Sequence, residues 1–366
     1  MDDRHKSPLR NPKIGRENLM KLNARKFCGM FCWIVSFALL ATSLAAQGGY
    51  HLLKKIPISG DGGWDYVAAD SEGRRLFVSH DTELVVLDLD SGAVVGKIQG
   101  GEDTHGAAVA RELGRGFISA SDPGSVTIFD LKTLAVLGKV KVGDDPNGII
   151  YDHKTGRVFT ADRGSKRLTA IDAKTGKIVA TSEGLGGRTE HLASDEAGHI
   201  FLNMQSLNTL LKFDAQTLKL LATWPTAPCG LPSSMDMDRA HQRIFIGCRS
   251  GDMAVVDANT GKIITTIPMG KGVDACEFDP ATALLYCSTG ADGALNVFHE
   301  DTPDKYSLVE SVKTQVGART MAVDRKTGKV YVAVADLGPR PAPTAENPAP
   351  RPPVVPGTFN VLVMGR

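Results

Sequence analysis

The sequence predicts an all-β protein, a seven-bladed β-propeller closed by its N-terminal strand. Three observations carry that expectation. An Asp that ends an apolar strand recurs at Asp88, Asp130, Asp172, Asp214 and Asp257, at intervals of 42, 42, 42 and 43 residues. Each interval holds four short apolar, often β-branched runs separated by turns, and four strands on a period of about 40–45 residues mark a propeller blade. The last repeat has three strands, whereas residues 50–58 (YHLLKKIPI) match an outer strand such as 262–268. A strand lent from the N-terminus completes the last blade and leaves no open edge.

In chain order, blade one covers 66–98, blade two 107–142, blade three 148–181, blade four 191–224 and blade five 235–268. Arg111 takes the place of the Asp that follows the first strand of other blades. Blade six, 276–312, has Phe298-His299 where the others have an apolar residue and Asp, and a longer turn follows. Blade seven starts with 321–324 and 330–334, and its third strand arrives only at 359–364, after a Pro-rich insertion at 338–357. Proline lacks the donor a central strand needs, so the insertion reads as an extended polyproline-like segment. A passive surface loop is the favoured reading of it over a functional one. The Asp-x-x-x-Gly turns at 152–156 and 324–328 read as hairpins in which Gly supplies a positive φ.

Residues 1–46 stand outside the repeat. An apolar run at 27–40 follows Lys21, Arg25 and Lys26 and ends in small residues, the pattern of a secretory signal peptide, with Met20 as an alternative start. The run is short for a spanning helix, so an uncleaved anchor is the less favoured alternative and the mature chain, 47–366, has no transmembrane domain. The expected location is periplasmic or secreted, with a mature N-terminus near Ala46 or Gln47. Residues 1–46 hold eight of the 42 Lys and Arg and three of the 41 Asp and Glu, which leaves 34 against 38, formally −4. No basic run survives, which argues against nucleic acid as a partner. Four cysteines remain after the signal, and an even number in an exported chain points to disulfides, with four buried thiols as the alternative. Propeller topology brings Cys229, before blade five, and Cys248, closing its second strand, to one face, so they are the expected pair. Cys276 and Cys287 lie opposite each other in a hairpin and either pair or stay as thiols.

The apolar-Asp strand end followed by Thr-Gly-Lys resembles the YVTN-type repeat of the YncE-like β-propeller family. Ile171-Asp172 with Thr175-Gly176-Lys177, and Val256-Asp257 with Thr260-Gly261-Lys262, match best, and the resemblance covers residues 50–366. It implies the fold. It implies no single activity, since related propellers include lactonases, haem d1 and quinone-dependent enzymes, and proteins without a known reaction. No Cys-x-x-Cys-His for haem attachment is present.

Loops entering the innermost strands converge on the central channel at one face, where function on this fold usually sits. One position per blade gives Asp65, Gly106, Asn147, Glu190, Ser233, Asp274 and Arg319, with His105 and His191 adjacent and His80 contributed by a neighbouring loop. These side chains are the candidate ligand-binding set, and the alternative is a solvated channel mouth with no ligand. Asp65, Asn147, Glu190 and Asp274 are candidate ligands for a divalent cation, calcium suiting the oxygen donors. Nucleophile-elbow, zinc-protease and phosphate-loop motifs are absent. The favoured expectation is a monomeric, non-catalytic module that binds a small molecule, glycan or protein through the channel face. The alternatives are a metal-dependent hydrolase of lactonase type, with His105 as general base, and an oxidoreductase-associated propeller subunit.

Overall fold

The computed structural model describes residues 48–344 and 350–366; the signal-peptide reading therefore lies outside the described residues. Seven four-stranded antiparallel sheets follow one another around an axis. Blades one to six occupy 67–99, 102–141, 146–181, 189–225, 232–268 and 273–313. Blade seven combines Thr320–Asp324, Lys329–Val334 and Asn360–Gly365 with the N-terminal strand His51–Pro57, which pairs antiparallel to Asn360–Gly365 from His51 opposite Gly365 to Pro57 opposite Asn360. The expected closure is the observed one. Among the described residues, no helix is long and apolar enough to cross a membrane.

Burial follows strand position. Second and third strands are buried along nearly their whole length, as in Arg75–His80 and Glu83–Asp88, because neighbouring blades cover both faces. Outer strands such as Val94–Gln99 and Val136–Lys141 face solvent on one side and alternate. The third residue of every second strand is a buried aromatic: Phe77, Phe117, Phe159, Phe201, Phe245, Tyr286 and Tyr331. Each such ring contributes about 1.5–3 kcal/mol through burial.

The recurring Asp has a local cause. Asp172 Oδ1 accepts the Thr175 amide at 2.7 Å and the Thr175 hydroxyl at 2.7 Å, which locks the hairpin between the third and fourth strands. Asp130 with Thr133, Asp214 with Thr217 and Asp257 with Thr260 repeat the device, and Asp88 uses Ser91. The residue immediately after that Thr or Ser needs a left-handed backbone: Gly92, Gly176 and Gly261 supply it at φ 70–73°, while blades two and four place Leu134 and Leu218 there at φ 62° and 55°. Leu218 is buried in the core between blades three and four, and that burial offsets a conformational cost of about 1–2 kcal/mol. Blade six, which lacks the Asp, instead extends its hairpin: Ala294–Thr302 and Lys305–Lys313 stay paired to Thr302 opposite Lys305. Arg111 reaches back to blade one, donating to Asp70 Oδ2 at 2.6 Å.

Both cysteine pairs are bonded, Cys229 to Cys248 with Cα atoms 5.6 Å apart and Cys276 to Cys287 at 4.2 Å. Deleting His51–Pro57 should expose the Asn360–Gly365 edge, and size-exclusion chromatography with a circular-dichroism melt should show aggregation or a lost cooperative transition. Replacing Cys229 and Cys248 together by Ser removes a crosslink over 19 residues and should cost about 3 kcal/mol in a urea titration.

Candidate functional site

The loops entering the innermost strands form a polar face around the channel, and ion pairs divide it in two. On one side stands a network centred on His105. Its Nδ1 lies 2.7 Å from Asp65 Oδ2, and its Nε2 lies 2.7 Å from Ser121 Oγ and 3.3 Å from Asp145 Oδ1. Ser121 in turn donates to Asp145 Oδ1, and Arg163 clamps both oxygens of Asp145. Asn147 donates to Asp65 Oδ2 at 3.3 Å and accepts from the Tyr66 hydroxyl at 2.8 Å. Burial disfavours the charged imidazole, but the hydrogen bonds it donates to Asp145 and Asp65 outweigh that and raise His105 to about 9. Burial likewise opposes Asp65, yet His105 holds it below the ordinary carboxylate range.

The second group gathers around Arg249. This guanidinium donates to Asp274 Oδ1 at 2.6 Å and stands 3.9 Å from Glu190 Oε1. Arg319 lies 3.4 Å from Asp274 Oδ2, donates to the Trp64 carbonyl and covers the Trp64 ring at 4.8 Å. Glu190 is buried with Oε2 lacking a hydrogen bond, 3.4 Å from Arg188 Nε. Burial pushes its carboxyl up to about 7; Arg188 and Arg249 pull it down, while Asp274 and Asp65 push it further up.

The structure therefore brings Asp65, His105 and Asn147 together, and separately Glu190, Asp274 and Arg319. The expected cation quartet of Asp65, Asn147, Glu190 and Asp274 is not gathered into one donor set: among the described residues, the acid and histidine clusters with ligand atoms within 4.8 Å are Asp103–His105–Asp145 and Asp238–His241–Glu300. Arginines explain this, because Arg249 and Arg319 occupy both oxygens of Asp274 where a metal would sit. A general-base role for His105 meets a similar obstacle, since an imidazolium with both nitrogens engaged has no lone pair to accept a proton. Three other candidates contact residues of other blades. Ser233 Oγ donates to the Val273 carbonyl at 2.5 Å. His80 stacks on Phe359 with centroids 4.6 Å apart. His191 sits edge-on to Tyr66 at 5.4 Å in the channel, where burial lowers its basicity.

A cavity of about 430 Å³ opens over the second group, lined among others by Trp64, Arg249, Asp274 and Arg319. Arg340, Arg351, Pro352 and Val354 complete its wall, so the Pro-rich insertion builds part of the channel mouth. A passive loop was the expectation; the pair of arginines inside the proline run was the available signal against it. Asp145, Ser121 and Arg188 were also missed, because nothing in the period marks them.

The blades and this face define the class, a repeat-built β-propeller with a charged channel mouth. A family model described as outer membrane protein assembly factor BamB matches residues 122–284, a stretch inside the propeller that stops short of the closing blade. Hydrazine synthase from Kuenenia stuttgartiensis superimposes with a TM-score of 0.66 at 14% identity, over 75% of this chain and 94% of that one, which is a likeness of fold. No curated protein matches the chain.

Folding raises His105 from 6.5 to about 9, so its stabilisation is fully present below pH 6.5 and is lost as pH rises through about 9. Thermal melts of the parent should decline across that window more steeply than those of His105→Gln. Equal slopes would mean that the imidazolium is absent.

Proposed function

We propose that the protein is an exported, periplasmic or secreted recognition module that takes a ligand at its channel mouth and does not transform it. The observation that carries this reading is the state of the charged groups beside the cavity. Asp65, Asp145 and Asp274 are each held by a cation, and His105 is held by carboxylates, which fixes a shaped polar surface instead of poising a proton-transfer pair. A cavity of about 430 Å³ falls in the range of small-molecule sites. The partial likeness to a BamB-type family and the YVTN-like repeat are compatible with a binding role, and the cysteine pairs with an oxidising compartment.

A metal-dependent hydrolase is the second reading. Its specific support is the Asp103–His105–Asp145 cluster, which offers one imidazole and two carboxylates, though His105 would first have to release its proton.

A thermal-shift screen of small solutes against the parent and Arg249→Ala tests the two. A ligand of the mouth should raise the parent's melting temperature, by about 2.7 kcal/mol of linkage at a hundredfold excess over Kd, and leave the variant unmoved. Mass spectrometry after incubation should recover the solute unchanged. Turnover that requires added calcium or zinc would replace the binding reading with the hydrolase.

A further inference from the structure

The charge at the mouth is unevenly compensated. Four guanidiniums, Arg249, Arg319, Arg340 and Arg351, line the cavity with three carboxylates, Asp81, Asp103 and Asp274. Asp274 serves Arg249 and Arg319 at once, and Asp103 lies 3.7 Å from His105 Nε2. Arg340 and Arg351, both from the insertion, have no carboxylate partner among the described residues. Arg340 donates instead to the Pro350 carbonyl at 3.0 Å. Desolvation by the cavity wall, then the Arg319 and Arg249 charges, pull Arg351 below the ordinary arginine range. Like charges held this close repel one another unless an anion joins them.

The two arms are also held in place. Leu337 and Val354 form a β-bridge, the Gly338 amide donates to the Pro353 carbonyl at 2.8 Å, and the Val355 amide donates to the Asp336 carbonyl at 2.9 Å. Asp336 Oδ1 accepts from Gln315 Nε2 at 2.7 Å, which ties the base of the insertion to the loop after blade six. Prolines on both legs limit the conformations open to the unbound segment, so little ordering entropy is lost when a ligand arrives.

We propose that the channel mouth is a receptor site for a small, multiply charged oxyanion, a polycarboxylate or a phosphorylated solute, held by Arg351 and Arg340 of the insertion together with Arg319 and Arg249 of the ring. The inference rests on the binding reading of the same site and names the ligand class. Guanidinium forks match carboxylate and phosphate oxygens in bidentate fashion, and the Trp64 edge and Pro352 offer an apolar wall beside them. The cavity volume suits a solute of that size and not a folded partner.

Isothermal titration of the purified full chain at low ionic strength, with citrate in one arm and inorganic pyrophosphate in the other, tests it. At least one should bind, more weakly as sodium chloride is added. Arg351→Glu, an exposed position, should weaken binding by about tenfold or more, and Arg351→Lys by less, since an ammonium keeps the charge without the fork. Citrate alone binding assigns a carboxylate ligand; pyrophosphate alone assigns a phosphate. Absence of heat with both, or unchanged affinity in Arg351→Glu with an unchanged melt, overturns the proposal. A neutral or cationic solute that stabilises the parent and not Arg249→Ala would overturn the anion class while leaving the binding reading intact.

Discussion

Ring closure is the constraint on which the rest of this molecule depends. Six blades are each built from consecutive chain, and the seventh joins His51–Pro57 to a strand more than 300 residues away. That pairing covers the Asn360–Gly365 edge and brings blade seven against blade one. The core between them holds Trp64, Leu76, Val78, Tyr331, Phe359 and Val361. Tyr50 adds a polar clasp, its hydroxyl shared with Tyr286 at 2.9 Å and donated to the Gly328 carbonyl at 2.9 Å. The same junction shapes the site. Trp64 stacks on Phe359, and Arg319 rests on Trp64 while Thr320 donates to the Asp65 carbonyl, so blades seven and one meet at the channel mouth through the closure.

Electrostatic pairing then sets the character of the channel face. Carboxylates crowded near one axis would otherwise raise one another's pKa and take up protons from solvent, or recruit a cation. Here guanidiniums reach in from neighbouring blades, from Arg163, Arg188, Arg249 and Arg319, and neutralise them in place. Glu190 shows the balance at its narrowest: burial raises it to about 7, with arginines and carboxylates acting in opposite directions. Among the described residues, the positive charge left without a carboxylate partner at the mouth lies on the insertion, at Arg340 and Arg351. The insertion thereby links a sequence irregularity to the chemistry of the mouth.

The repeat was legible because its cause is local. An Asp accepting from a Thr three residues on is a turn that the chain forms within one hairpin, so it recurs wherever Asp and Thr do, and its failure in blade six at His299 was visible for the same reason. The Cys229–Cys248 proximity was legible from topology alone. Of the ring positions, Asp65, Asn147, Glu190, Asp274 and Arg319 do reach the polar face. Ser233 and His80 find partners the period does not encode, the Val273 carbonyl and Phe359, which come from other blades.

By itself the sequence determined the blade, the number of blades and the strand that closes the ring, because hydrophobic alternation, turn chemistry and edge pairing act over a few residues or through simple counting. Tertiary structure alone decided which charges meet. Asp65 finds His105 40 residues away, Arg249 finds Asp274 at 25, and Arg340 and Arg351 come to the channel mouth from within a proline-rich run. Coulomb and hydrogen-bond energies depend on distances between side chains that different blades contribute, and no period along the chain encodes those distances.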